Sequence, residues 1–119
     1  MTLTVGLLRE LLRHLQAFQS LYENEGIDTI HCPGGDEISL WDLRYLYSKI
    51  HLLPARQAQA IELFLYEGKT ERESAIRMGI APSNPIGMYV TSGLTRLIEL
   101  VEDDRLPMFR LDDPVAIGA

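Results

Sequence analysis

The chain has 119 residues, of which 46% are hydrophobic and 24% charged, a composition typical of one globular domain of ordinary size. No apolar run approaches the roughly 20 residues of a membrane span, and no signal segment opens the chain, so we expect a cytoplasmic protein without a membrane partner. The lone Cys32 excludes an internal disulfide.

The net charge of −6 is distributed unevenly along the chain. The central segment, residues 53–101, holds five Lys or Arg against five Asp or Glu. Residues 1–52 hold four against seven, and residues 102–119 hold two against five. We therefore divide the chain into an N-terminal helical support region (1–52), a neutral central segment (53–101) and an acidic C-terminal tail (102–119).

Residues 3–22 are predicted to form an amphipathic helix. Its apolar side chains recur at alternating spacings of three and four, which places them on one helix face: Leu8, Leu11, Leu15, Phe18 and Tyr22. The stripe is wide, as for a helix that packs on its own domain. The same stripe also suits a homodimer contact through this helix, and both alternatives stay open.

The next stretch predicts either a small β-hairpin or a plain loop. Two short runs, residues 28–32 and 37–39, flank a Gly-rich turn at residues 33–36. The Gly pair lacks the further Gly, Lys and Ser/Thr of a phosphate-binding loop. His31 and Cys32 lack further ligands at zinc-site spacing, so no metal or other cofactor is expected.

A second long helix is predicted over residues 40–52, and Ser39 with Asp42 forms a capping pattern at its start. Its leucines repeat at helical spacing and point to a core. Three aromatic residues accompany them, and they suit either base stacking or, more commonly, core packing: Trp41, Tyr45 and Tyr47.

The central segment predicts three helices, over residues 54–65, 71–78 and 85–101. Thr70 and Glu73 form a Thr-x-x-Glu capping box that starts the second helix, and Gly79 ends it. Asn84 is predicted to cap the third helix, with Pro85 at its first position. The core residues of that helix recur at spacings of three and four: Ile86, Val90, Leu94, Leu97 and Val101.

Two short helices and a longer one, the last two joined by a Gly-containing turn, are typical of a helix-turn-helix, in which the last helix enters a DNA major groove. Five motifs follow one another here: Leu53-Pro54-Ala55-Arg56-Gln57, Ile61-Glu62-Leu63, Glu67-Gly68-Lys69-Thr70, Glu73-Ser74-Ala75 and Met78-Gly79-Ile80. They resemble the C-terminal (region 4) helix-turn-helix of bacterial sigma factors over about residues 52–100. Two later motifs narrow the resemblance to the sigma-like helix-turn-helix proteins of actinobacterial phages: Asn84-Pro85-Ile86-Gly87-Met88-Tyr89 and Gly93-Leu94.

The outer face of the third helix departs from that family. Sigma factors usually place Lys, Arg or Gln there, whereas this chain has four small or uncharged residues: Gly87, Met88, Thr91 and Ser92. In the helix-turn-helix docking these four face the bases, and Ser83 and Asn84 lie near phosphates or base edges. Thr91 and Ser92 suit either kind of base, and Met88 suits a thymine methyl.

The sigma resemblance implies phosphate contacts at four positions: Arg56, Lys69, Thr70 and Arg72. Arg96, late in the third helix, is expected to add a contact with the DNA backbone. The structural alternative for Thr70 and Asn84 is capping alone, and for Arg56 and Arg72 it is a solvated helix face. For each of these single residues the two interpretations stay open.

The sequence therefore predicts a mainly α fold: a five-helix domain with a sigma-like helix-turn-helix and, between the first two helices, a small β-hairpin or loop. The expected function is that of a phage-encoded transcription regulator that binds double-stranded DNA in the bacterial cytoplasm. The alternative is a protein-interaction module that binds host RNA polymerase or another regulator. The small DNA-recognising subunit of a packaging enzyme is a third option. No catalytic constellation is recognisable, so an enzyme is not expected.

Overall fold

The computed structural model describes residues 3–104, and within that range it is mainly helical with one small antiparallel sheet. Of the predicted acidic tail (102–119), only residues 102–104 belong to the described part of the chain. A 3₁₀ turn spans Lys49–Leu52, and a π-helix spans Ile61–Tyr66. The other elements, in chain order, are α1 Val5–Arg13, α2 Leu15–Glu25, β1 Thr29–His31, β2 Glu37–Ser39, α3 Leu40–Ser48, α4 Ala55–Ala60, α5 Glu71–Met78 and α6 Ile86–Asp104.

The predicted helix over residues 3–22 is two helices in the structure, divided at His14. The His14 backbone leaves the helical region, with φ −104° and ψ 9°. No Pro or Gly marks this break, so we attribute it to packing: α1 lies against α6 and the π-helix, whereas α2 lies against α3. Leu8, Leu12 and Leu15 are fully buried inside this chain, whereas Leu21 and Tyr22, farther along α2, are exposed.

A β-hairpin, rather than a loop, follows α2. Its strands pair antiparallel, and the paired Ile30 and Ile38 are both buried. Gly34 and Gly35 take φ values of 92° and 94°, which residues with a Cβ rarely adopt. Cys32 is buried, and this burial raises the pKa of its thiol, as does the nearby negative charge of Asp36. Among the described residues, no group of three His, Cys, Asp or Glu side chains is placed to hold a metal.

The core is one continuous cluster that joins the N-terminal region to the central segment. Ser39 starts α3 as predicted, because its hydroxyl accepts the Asp42 N–H at 3.0 Å. α1 packs against both α3 and α6. The largest fully buried side chains are Leu8, Leu12, Leu15, Ile38, Leu40, Leu43, Leu46, Ile61, Leu65, Ile86, Leu94 and Leu97. None of the described helices is long and apolar enough to cross a lipid bilayer.

α6 packs tightly against the α4 region at Gly93. A Cβ at this buried position would lie 2.8 Å from Ile61 Cδ1 and 3.2 Å from Gln57 Cβ. The missing side chain therefore allows the helix axes to come close together, at the point where α4 becomes a π-helix. This contact fixes how α6 lies on the rest of the fold.

Candidate nucleic-acid interface

The start of α5 is fixed by the predicted capping box. Thr70 Oγ1 accepts the Glu73 N–H at 3.1 Å, and Glu73 Oε1 accepts the Thr70 N–H at 3.1 Å. The pKa of Glu73 is lowered, first by the hydrogen bond that its carboxylate accepts from the Thr70 backbone N–H and then by hydrogen bonding with the Thr70 side chain. Ser74 is fully buried and its hydroxyl donates to Thr70 O at 2.8 Å, so a polar residue is tolerated in the core there. The capping alternative for Thr70 is therefore realised in the structure.

The connection from α5 to α6 has seven residues, Gly79–Pro85. Gly79 is left-handed, with φ 72°, and Ile80 N–H bonds to Ala75 O at 3.0 Å, which together close α5. Asn84 does not cap α6 as predicted, because α6 begins at Ile86 and the Asn84 side-chain amide donates to Ala81 O at 3.0 Å. That hydrogen bond holds the turn, and Ser83 beside it is exposed.

One face of α6 is in the core and the opposite face is open to solvent. The five predicted core residues of α6 are all fully buried. On the other side Met88 is 66% exposed, and Thr91, Ser92 and Thr95 are also exposed. This surface, which we call the open face (Met88, Thr91, Ser92 and Thr95), has small side chains and no charged group of its own.

Gly87 lies on the flank of α6 and not in the middle of the open face. It is half-buried, and a Cβ at this position would lie 3.3 Å from Glu71 Oε1 of α5. Gly87, which is predicted to face the bases, therefore lies beside a carboxylate. That carboxylate opposes a phosphate at the first turn of α6.

The predicted cationic residues are spread around the open face. Arg56 lies on one flank of α6, where its Nη1 donates to Tyr89 Oη at 3.2 Å. Arg96 lies farther along α6 and pairs with Glu99 at 3.8 Å. Lys69 pairs with Glu67 at 3.8 Å at the start of α5, where Arg72 is exposed. The structure thus brings Lys69, Thr70 and Arg72 together, and it separates them from Arg56 and Arg96.

Two arginines of α1, which the sequence analysis missed, complete the surroundings of the open face. Arg9 Nη2 donates to Thr91 Oγ1 at 2.8 Å. Arg13, one helical turn later, lines a surface hollow together with Phe64, Gly68, Lys69 and Thr70. The Arg9 to Thr91 contact joins residues 82 apart in sequence, so no local pattern indicates it.

The aromatic residues of α3 lie away from α6. Tyr47 is half-buried and stacks on Tyr66 with ring centroids 4.8 Å apart. Burial, and then the nearby charge of Glu62, raises the pKa of Tyr47. Trp41 is 45% exposed, and its ring meets the Tyr22 ring edge-on at 4.9 Å. These contacts support the packing interpretation for Tyr47 and leave Trp41 on the surface.

The comparisons with known proteins add nothing to this geometry: no family model, no curated protein and no solved structure matches the chain.

Proposed function

We propose that the protein is a sequence-specific DNA-binding transcription regulator of the sigma-like helix-turn-helix type, encoded by a phage and acting in the bacterial cytoplasm. In this proposal α4 with its π-helix, α5 and α6 form the helix-turn-helix. The N-terminal half of α6 enters the major groove of double-stranded DNA.

The observation that carries the proposal is the open face of α6. Its four side chains are exposed while the opposite side of the same helix is fully buried. A helix held rigidly by its core face, with small polar groups outward, can approach base edges closely. The hydroxyls of Thr91 and Ser92 can donate or accept hydrogen bonds, and Met88 offers an apolar contact for a thymine methyl.

Phosphate contacts would come from the flanks of α6. Arg56 lies on one flank, and Lys69, Thr70 and Arg72 surround the start of α5 on the other. The Tyr89 hydroxyl holds only one nitrogen of Arg56, so further guanidinium N–H groups remain for a phosphate. Arg96 would give up its exposed pairing with Glu99, which costs little because exposed ion pairs contribute little.

The first test is DNA binding at two salt concentrations. Fluorescence anisotropy is measured on labelled mixed genomic fragments at about 50 mM and 200 mM salt. If Arg56, Lys69 and Arg72 each neutralise one phosphate, counterion release predicts a loss of affinity of about 40-fold between the two concentrations. An absence of binding at both concentrations would contradict the proposal.

The second test replaces Arg56 and Arg72 by Ala together. Both side chains are exposed, so the variant should fold normally while its DNA affinity falls strongly. Arg44→Ala is the matched control, because Arg44 lies on α3 over the Trp41 ring, at 5.6 Å from its centroid. Unchanged DNA binding by the double variant would show that another surface meets the DNA.

The second candidate function is a protein-interaction module that binds RNA polymerase or another regulator. It is favoured by a surface of residues 14–43. Residues 14–43 contain six Asp or Glu and no Lys or Arg. In the same stretch a groove is lined by Phe18, Leu21, Ile27, Ile30 and Leu40. Leu21, Ile27 and nearby Trp41 are 41–46% exposed, so apolar side chains and acidic groups share this surface.

The two functions are separated by one substitution on each surface. If the partner is RNA polymerase, the Leu21→Glu variant should lose co-purification with it and keep its DNA affinity. A Thr91→Glu variant should lose DNA affinity and keep the polymerase. Retention of the polymerase by Leu21→Glu would remove this groove as its binding site.

A further inference from the structure

We propose that α1 forms part of the nucleic-acid interface, with Arg9 and Arg13 as a phosphate-binding strip beside α6. This inference rests on the proposed function and deepens it. From sequence, residues 1–52 are predicted as a helical support region, and no DNA contact is predicted for Arg9 or Arg13. The structure instead places two guanidinium groups of this region at the open face and at the start of α5.

Arg9 supplies the cation that the open face lacks. Its Nη2 donates to Thr91 Oγ1 at 2.8 Å, so its position relative to α6 is fixed by a hydrogen bond. That bond uses one of the five N–H donors of a guanidinium. Two of the remaining donors can bind two oxygens of one phosphate group in a bidentate manner. No carboxylate among the described residues pairs with Arg9.

Arg13 extends the same strip toward α5. It lies one turn after Arg9 on α1, which places the two Cβ atoms about 5–6 Å apart on one helix side. Arg13 shares a surface hollow with Lys69 and Thr70, the residues that begin α5. Two like charges at this spacing repel each other weakly, and a bound anion would relieve that repulsion.

The local charge balance shows why the strip matters. The start of α5 carries three glutamates, Glu67, Glu71 and Glu73, against Lys69 and Arg72, so alone it has a net charge of −1. Arg9 and Arg13 raise the charge of this flank to +1, and it becomes 0 when Glu10 of α1 is also counted. Glu10 of α1 is the nearest opposing charge in sequence, and its carboxylate is 3.6 Å from the ring of His14, the residue that follows α1. The two arginines of α1 therefore offset the net negative charge that the start of α5 presents to a phosphate strand.

The two flanks of α6 then hold one arginine each at the same level. Thr91 binds Arg9 and Tyr89 binds Arg56. Two residues correspond to a rotation of about 200° around the helix axis, so Tyr89 and Thr91 point in nearly opposite directions. The two arginines therefore lie on nearly opposite sides of α6. The major groove is about 12 Å wide and a helix with side chains about 10–12 Å. Arginines on both sides therefore suit the two phosphate strands that border the groove.

The test compares the salt dependence of DNA affinity for matched full-length variants on a short mixed-sequence duplex labelled with fluorescein. Arg9→Ala combined with Arg13→Ala should lower the slope of log affinity against log salt by about 1.8, since each phosphate contact contributes about 0.9. Arg44→Ala removes one cation from α3 and should leave the slope unchanged. Arg9→Lys combined with Arg13→Lys keeps both charges and should restore most of the slope.

The outcomes distinguish this inference from the function on which it rests. If the wild-type chain binds no DNA at either about 50 mM or 200 mM salt, both are wrong. If the wild type binds and Arg56→Ala with Arg72→Ala weakens binding, but the α1 variants keep the wild-type slope, only the inference is overturned. A variant that melts earlier yet keeps the slope would show that Arg9 merely fastens α1 to α6.

Discussion

The helix contact at Gly93 yields the sharpest stability prediction, for the Gly93→Ala variant. In an exposed helix this change stabilises by about 1 kcal/mol. Here the new methyl would lie 2.8 Å from Ile61 Cδ1 and 3.2 Å from Gln57 Cβ, and Ile61 is fully buried. Overpacking of this kind costs about 1–3 kcal/mol. We expect a net loss of up to about 2 kcal/mol.

The assay is thermal and urea unfolding of the full chain. A loss of about 2 kcal/mol, the upper end of this range, lowers the melting temperature by roughly 8–16 °C for a domain near 100 residues. Gly6→Ala is the matched control, because a Cβ at Gly6 of α1 meets nothing within 4 Å and should be neutral or stabilising. Ile61→Val removes the closest atom, so Gly93→Ala should cost less in that background. A Gly93→Ala variant at least as stable as the wild type would refute the reasoning.

Three further predictions concern α5. Thr70→Ala removes the cap hydroxyl and should lower the unfolding free energy by about 1 kcal/mol in urea titrations, and an unchanged value would contradict the capping role. Since the folded-state pKa of Glu73 is lowered, its ionised form stabilises the fold above its ordinary pKa of 4.5. This contribution is lost as the pH falls through the folded-state pKa. The difference in unfolding free energy between the wild type and Glu73→Gln should therefore shrink in acid, as checked by unfolding at several pH values. Glu71→Gln removes the carboxylate beside Gly87 and should tighten DNA binding measured by anisotropy, whereas unchanged binding would show that this flank faces away from DNA.

Several elements were predictable from sequence because their causes are local. The capping box of Thr70 and Glu73, the Ser39 cap and the Gly79 helix end each depend on residues within a few positions, and each is present in the structure. The buried face of α6 follows from its apolar spacing alone. Local hydrogen bonding and helical periodicity carry this information, so it can be recovered without a fold.

Other features depend on tertiary contacts, and the sequence alone did not indicate them. The break at His14 has no Pro or Gly to mark it, and the π-helix after Ala60 follows an ordinary helical pattern. Gly93 was noted only as part of a family resemblance, whereas its role is the close contact with Ile61. Such effects arise where two helices meet, and neither helix specifies them by itself.

The candidate interface shows the same division. The exposure of Met88, Thr91 and Ser92 followed from the periodicity of α6, since they lie opposite its core residues. The displacement of Gly87 toward Glu71 did not, because it depends on where α5 lies. The contribution of α1 was also missed, since the Arg9 contact requires the packing of α1 against α6.

The central claim is that the open face of α6 meets a DNA groove. The most direct measurement is an NMR titration of the isotopically labelled protein with a DNA duplex that it binds. The backbone amide shift of each residue is followed as DNA is added. The proposal predicts that the largest shifts occur at Met88, Thr91, Ser92 and Thr95 and at flanking Arg9 and Arg56. Shifts confined to α2 and α3, or no shifts with saturating DNA, would contradict it.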